Sequence, residues 1–425
     1  MSPRKYLVIA AAPAVVALLA VALLSLGPGP SDDDITSIDV GDPGEAIVRG
    51  EYLAIAGNCA TCHTAPDGEF MAGGLRFETP FGAIYSTNIT SDAATGIGEW
   101  SFAQFRDSMR YGLRADGEHL YPAFPYTSFT KMTDEDIGQL FEYMKSVPAV
   151  QRDATPNELS FPFNQRSLLA FWKAMFFDDS RLAADESRSN EWNRGAYLVE
   201  ALTHCGACHT PRNAMGAEDA DRYMAGGEYL DRVKGGAYQA WSAPDLTSND
   251  GGLGLWPHAD VADYLKTGRN SFLESFGPMN EVIMNSTRHL TEDDVGAIAT
   301  YLKDIPGAEW EEAPAPDPSL MGRGRTVYNL HCGTCHLPTG LGDPEMGPRL
   351  NQGSLVVQAE NPASMINAIL YAPELAELPE QWRMPMEEYR YELDDEEVAA
   401  VATYIRNSWD NRAGIVTPEQ VAAQR

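Results

Sequence analysis

Six cysteines occur in the 425 residues, and each belongs to a Cys-x-x-Cys-His string. The strings are Cys59-Ala-Thr-Cys62-His63, Cys205-Gly-Ala-Cys208-His209 and Cys332-Gly-Thr-Cys335-His336. Two thiols three positions apart on one helical turn can each add to a vinyl group of the same haem, and the next histidine then projects beneath the macrocycle to ligate iron. The competing uses of such a pair are a redox-active dithiol or half of a zinc site. A zinc site needs a second ligand pair at fitting spacing, and a redox pair does not need histidine after its second cysteine three times over. No cysteine is left over. The spacing predicts three covalently bound haem c groups. Cys59, Cys62, Cys205, Cys208, Cys332 and Cys335 are the expected attachment residues, and His63, His209 and His336 the expected iron ligands.

The opposite face of each iron needs its own donor. A methionine thioether is the common choice in electron-transfer haems, because a soft ligand favours the reduced metal. In the second repeat the stretch from Gly268 through Ser271–Pro278 leads to Met279. In the third, Trp382-Arg-Met384-Pro385-Met386 precedes the closing helix, and Met384 is the expected ligand with Met386 as its rival. In the first, aligning Gly112 with Gly268 sets Phe124 over Met279, and phenylalanine cannot ligate iron. The first haem then uses His119, more remotely Met132, or stays five-coordinate. His204, His258, His289 and His331 are assigned to the surface or to haem edges.

Three repeated frames must position these residues. Each motif follows a helix expected to open near an Arg-Gly pair: Arg49-Gly50, Arg194-Gly195 and Arg323-Gly324. Each repeat closes on a helix with a start signal, at Thr133-Asp-Glu-Asp136, Thr291-Glu-Asp-Asp294 and Asp394-Asp-Glu-Glu397. These are an N-cap followed by first-turn acids. Ten residues past each cap stands a tyrosine, Tyr143, Tyr301 or Tyr404, placed to pack on the opening helix. Repeats one and two share a block, Ser86–Ser91 leading to Trp100 and Ser242–Ser248 leading to Trp256. It serves either as a wall at the haem edge or as a turn with a packed tryptophan. Repeat three carries Gly347-Pro348-Arg349-Leu350-Asn351 instead. A unit of ~100 residues with few helices buries little surface alone, and a covalent haem supplies the missing apolar centre.

The expected fold is therefore mainly α, with three tandem cytochrome c-type haem domains preceded by an N-terminal hydrophobic helix. The segments are 1–30, a signal peptide or membrane anchor; 44–148, domain one; 149–193, an apolar connector; 194–306, domain two; 307–319, a Pro-rich linker; and 320–412, domain three. Arg4 and Lys5 precede an apolar run from Tyr6 to Leu26, which suits either a cleaved signal or an uncleaved anchor, and both export the rest of the chain. The connector contains Phe161-Pro-Phe163 and Leu168–Phe177. It either packs across two domains or docks on a partner or membrane, in which case Phe171, Trp172, Phe176 and Phe177 are exposed. The formal net charge of −30 argues against nucleic acid and against loose adhesion to anionic lipid.

The strings His119-Leu-Tyr-Pro-Ala-Phe-Pro-Tyr126, Lys131–Asp136, Trp192–Glu200 and His204–Asn213 resemble the three-haem cytochrome c subunits of bacterial membrane-associated dehydrogenases acting on alcohols, gluconate or aldehydes. The resemblance runs from Gly44 to Ala413, and many members carry methionine where Phe124 stands. It implies an electron-transfer subunit on the periplasmic side of the inner membrane. Its partners would be a catalytic subunit of flavin, quinone or molybdenum type and an acceptor such as ubiquinone or a terminal oxidase. No Gly-x-Gly-x-x-Gly follows a strand, so substrate chemistry belongs on another chain. The alternative is a self-standing multihaem redox enzyme acting at an open first haem.

Overall fold

The computed structural model describes residues 37–308, 313–374 and 385–425. The N-terminal apolar segment, part of the Pro-rich linker and Met384 lie outside these residues. Among the described residues no helix is long and apolar enough to cross a membrane. The chain separates into two compact units, one of residues up to Leu53 with His63–Ala183, the other of Ala54–Cys62 with Ala184–Arg425.

The first unit takes in most of α1 (Pro43–Ala56), which leads into the short α2 (Cys59–His63); the stretch Ala54–Cys62 between Leu53 and His63 counts with the second unit. The hairpin β1 (Arg76–Thr79) and β2 (Gly82–Tyr85) follows. Next come α3 (Phe102–Tyr111) and α4 (Asp134–Ser146). The connector supplies β3 (Glu158–Leu159), which pairs with β2, and α5 (Leu168–Phe176). A Ser101–Gln104 capping box starts α3, and Gly112, left-handed at φ 59, ends it. Thr133 accepts from Asp136 N to start α4, as its sequence predicts.

The second unit holds α6 (Asn190–Tyr197), which continues as a π-turn over Leu198–Leu202, and α7 (Gly206–His209). A long hairpin of β4 (Ala225–Arg232) and β5 (Tyr238–Asp245) comes next. It is followed by α8 (His258–Thr267), α9 (Pro278–Asn285) and α10 (Glu292–Leu302). The last stretch contributes α11 (Pro318–His331), α12 (Ala363–Tyr371), α13 (Asp395–Arg406) and α14 (Pro418–Ala423). Ser242 and Ser364 exchange hydrogen bonds, and Trp241 shares one apolar core with Val327, Met365 and Val398, so the hairpin packs on the third repeat.

One helix crossing recurs three times. A methyl placed on Gly50 of α1 would lie 2.1 Å from the Gln139 carbonyl oxygen and 2.7 Å from Tyr143 Cβ. On Gly195 of α6 it would meet the Ala297 carbonyl oxygen at 2.0 Å and Tyr301 Cβ at 2.8 Å. On Gly324 of α11 it would meet the Ala400 carbonyl oxygen at 2.1 Å and Tyr404 Cβ at 2.6 Å. The Arg-Gly pairs thus do not open their helices; they lie at the middle, where the closing helix passes. The starts are set by Asp42, Ser189 and Asp317, whose side chains accept from first-turn backbone N–H groups.

Candidate haem-attachment sites

Each attachment motif sits on one helical turn. The His209 N–H donates to the Cys205 carbonyl at 3.0 Å, and the His336 N–H to that of Cys332 at 3.0 Å. In the first repeat α2 consists of Cys59–His63 itself. This i to i+4 closure puts both thiols of a motif on one side of its turn and lets the histidine leave its end.

All three histidines are then held in the same way. The Nδ1 of His63 lies 2.7 Å from the Thr87 carbonyl oxygen, that of His209 2.8 Å from Pro244 O, and that of His336 2.7 Å from Pro348 O. A carbonyl only accepts, so Nδ1 carries the proton and Nε2 keeps the lone pair that a metal needs. Burial lowers the pKa of each imidazole, opposed by that hydrogen bond. A neutral ring is the form that ligates.

The acceptors come from the two shared blocks, Ser86–Ser91 and Ser242–Ser248, and from Gly347–Asn351. The blocks are thus neither merely a haem wall nor merely a turn: each delivers one carbonyl to one histidine. The repeated position of the blocks was visible in the sequence, but their role was not, because a backbone carbonyl leaves no residue-type signature. Trp256 is a packed tryptophan, buried, with its indole N–H on the Gly353 carbonyl at 2.7 Å and its ring stacked on Phe272 at 5.5 Å.

None of the six cysteines is in a disulfide. Burial pushes Cys59, Cys62 and Cys332 up to about 12 and Cys208 up to about 11, and raises Cys205. A redox-reactive dithiol needs the opposite shift. Among the described residues no group of three or more His, Cys, Asp and Glu side chains is placed to hold a metal ion. Haem fits where zinc does not. Cradles of bare backbone face the motifs: a methyl on Gly347 would lie 3.2 Å from His336 Cε1, and one on Gly227 2.3 Å from the Cys208 carbonyl oxygen. Trp241 Nε1 is a buried donor without an acceptor among the described residues, suited to a carboxylate of a bound group. Its ring packs on Gly277, which has a left-handed φ of 61 and directly precedes Pro278 and Met279.

Met279 is half-buried at the start of α9. Met386 packs against the apolar core that includes Tyr328 and Val398, as do Cys332 and Leu350. Met132 is fully buried. His119 is engaged elsewhere: Lys173 Nζ lies 3.0 Å from its Nδ1, 2.5 Å from the Tyr111 carbonyl oxygen and 2.9 Å from that of Gly112. Burial, and secondarily Lys173, lowers its pKa to about 4. Burial brings Lys173 itself down to about 7.

A shared Met-Ala-Gly-Gly string, Met71–Gly74 and Met224–Gly227, went unremarked in the sequence. Its methionine N–H donates to the hydroxyl just after the motif histidine, Thr64 or Thr210, at 3.1 Å in both repeats. The matching strings were the signal that could have revealed it.

The cytochrome c family is matched by residues 47–148 and 321–409. Over 405 residues the chain is 39% identical to the cytochrome c subunit of the quinone alcohol dehydrogenase of Gluconacetobacter polyoxogenes, covering 90% of this chain and 85% of that protein. It is 35% identical to the fructose dehydrogenase cytochrome subunit of Gluconobacter japonicus, over 89% of this chain and 82% of that one. Against the gluconate 2-dehydrogenase cytochrome c subunit of Pantoea cypripedii the identity is 35%, over 89% of both chains.

Proposed function

Because the chain belongs to the family of dehydrogenase cytochrome c subunits, we propose that it carries electrons through three haem c groups, from a periplasm-facing dehydrogenase to ubiquinone or another respiratory carrier. Electron transfer itself follows from membership of the family. A c-type haem, when bound, supplies a one-electron couple whose potential its axial ligands and burial set. The protein's part is to hold each site fixed. The observation that carries the count of three is the carbonyl bond to Nδ1, present at His63, His209 and His336 alike. In this reading Cys59, Cys62, Cys205, Cys208, Cys332 and Cys335 form the thioethers. Met279 and Met384 complete the second and third irons. The catalytic partner is of flavin, quinone or molybdenum type, and the complex sits at the periplasmic face of the inner membrane, in contact with its surface.

The denatured protein assayed as pyridine haemochrome is expected to show three haems per chain, and one or two would end this reading. Met279→Ala and Met384→Ala are each expected to raise the spin state, or lower the potential, of one haem alone. Unchanged optical and redox titrations in both variants would mean that other residues are the ligands.

A further inference from the structure

We infer that the iron of the first repeat has no side chain opposite His63 and keeps an exchangeable sixth position, open to a small exogenous ligand such as carbon monoxide or cyanide. This rests on the reading of Cys59, Cys62 and His63 as a haem site and of Met279 as the axial ligand of the second repeat.

Backbone anchors after two matching glycines align the stretches that follow them. Gly112 and Gly268 end α3 and α8 in the left-handed region, at φ 59 and 76. Each then begins a loop closed by an antiparallel bridge, Leu113 with His119 and Arg269 with Glu274. The residue after each bridge returns its N–H to the glycine carbonyl: Leu120 to Gly112 and Ser275 to Gly268, both at 2.7 Å. Four residues beyond these anchors stand Phe124 and Met279. The place that offers a thioether in the second repeat offers a phenyl ring in the first, packed 5.4 Å from the ring of Phe129.

Among the described residues, His119 and the buried methionines of this repeat have roles of their own. Lys173 Nζ has three acceptors, the carbonyls of Tyr111 and Gly112 and Nδ1 of His119, so each ammonium proton has a place. With Nδ1 accepting, the His119 proton is on Nε2, and neither nitrogen has a lone pair left for iron. Arg166 Nη1 donates to the His119 carbonyl at 2.8 Å and pins its backbone as well. The buried methionines occupy leucine positions. Met132 precedes the cap Thr133 as Leu290 precedes Thr291 and Leu393 precedes Asp394. Met109 stands three residues before Gly112 as Leu265 stands before Gly268, and Met144 eleven after its cap as does Leu302. Met71 has its counterpart in Met224, so it cannot be what sets the first repeat apart.

The test uses the full chain with its haems, at a pH midway between about 4 and about 7, where Lys173 is protonated and His119 neutral. One haem in three is expected to be high-spin by low-temperature magnetic resonance, and the reduced protein is expected to bind one carbon monoxide per three haems. Phe124→Met should convert that haem to low-spin and abolish carbon monoxide binding, whereas His119→Gln and Met132→Leu should leave both signals unchanged. Three low-spin haems in the wild type would overturn the inference while leaving the three-haem reading intact, and so would a rise in spin state caused by His119→Gln or Met132→Leu. Two haems per chain with Cys59 and Cys62 open to alkylation would bring down the underlying reading, and the inference with it.

Discussion

His63, His209 and His336 share one constraint on Nδ1, and what crowds that bond differs between them. In the third repeat the residue before the acceptor is Gly347, whose missing methyl would sit 3.3 Å from His336 Nδ1. Gly347→Ala should push the ring off Pro348, reduce the electron density that the hydrogen bond lends the ligand, and raise the potential of one haem without loss of any haem. A redox titration with all three potentials unmoved would show that the contact is slack. Lys173 makes a second residue-level prediction. Its pKa falls from 10.5 unfolded to about 7 folded, so between those values the unfolded chain binds more protons. Stability should therefore rise with pH across that window, the groups facing the amine being His119, Tyr111 and Tyr126. Lys173→Met should flatten the rise, as read by denaturant midpoints from pH 7 upward; an equally steep rise in the variant would place the effect on another group.

At the scale of elements the crossing glycines do most to define the repeat. A mid-helix glycine costs roughly 1 kcal/mol in propensity, so its presence three times over reflects the contact it permits. Gly195→Ala would drive a methyl to 2.0 Å from the Ala297 carbonyl oxygen. The expected loss is about 1–3 kcal/mol after the helices shift, or a drop of several degrees in melting temperature, checked by calorimetry of the holoprotein. No loss of stability would mean that the helices part without cost. The caps at Thr133, Thr291 and Asp394 were legible in the sequence because capping is a local matter of one side chain and a nearby N–H. So was the pairing of the tyrosines at 143, 301 and 404 with the opening helices. The role of the Arg-Gly pairs was misjudged because close helix approach is tertiary and glycine alone does not announce it. The β4–β5 hairpin went unforeseen although Gly235 and Gly236, both at positive φ, close its turn between strands that carry Tyr229, Tyr238 and Trp241. The carbonyl acceptors were out of reach for another reason: which backbone oxygen faces a histidine depends on loop path, not on residue type.

At the scale of the whole molecule, the connector divides its aromatic residues between two tasks. Trp172 is buried at 7% exposure and Phe177 packs edge-on against Tyr126 at 5.2 Å, so these two hold α5 to its own unit, whereas the docking alternative required all four rings to be exposed. Phe171, Phe176, Leu168 and Met175 remain exposed, the first and last each at 46%, and Leu168, Phe171 and Met175 follow the i, i+3, i+7 spacing of one helix face. Such a face has the make-up of an interface centre, where aromatic and methionine side chains are favoured. Phe171→Ser with Met175→Ser should release the protein from its catalytic partner in a copurification, with haem content and melting temperature nearly intact. Unfolding, or undiminished copurification, would move the docking surface elsewhere. The carbonyl bonds on the three histidines also have a consequence for the order in which the chain comes apart. They close loops of unequal length, because the acceptor lies 24 residues after His63, 35 after His209 and only 12 after His336. For flexible loops the chain entropy of closure separates the longest from the shortest by about 1 kcal/mol. Three contacts of the same chemistry should therefore open in sequence as denaturant is added, that of His209 first and that of His336 last.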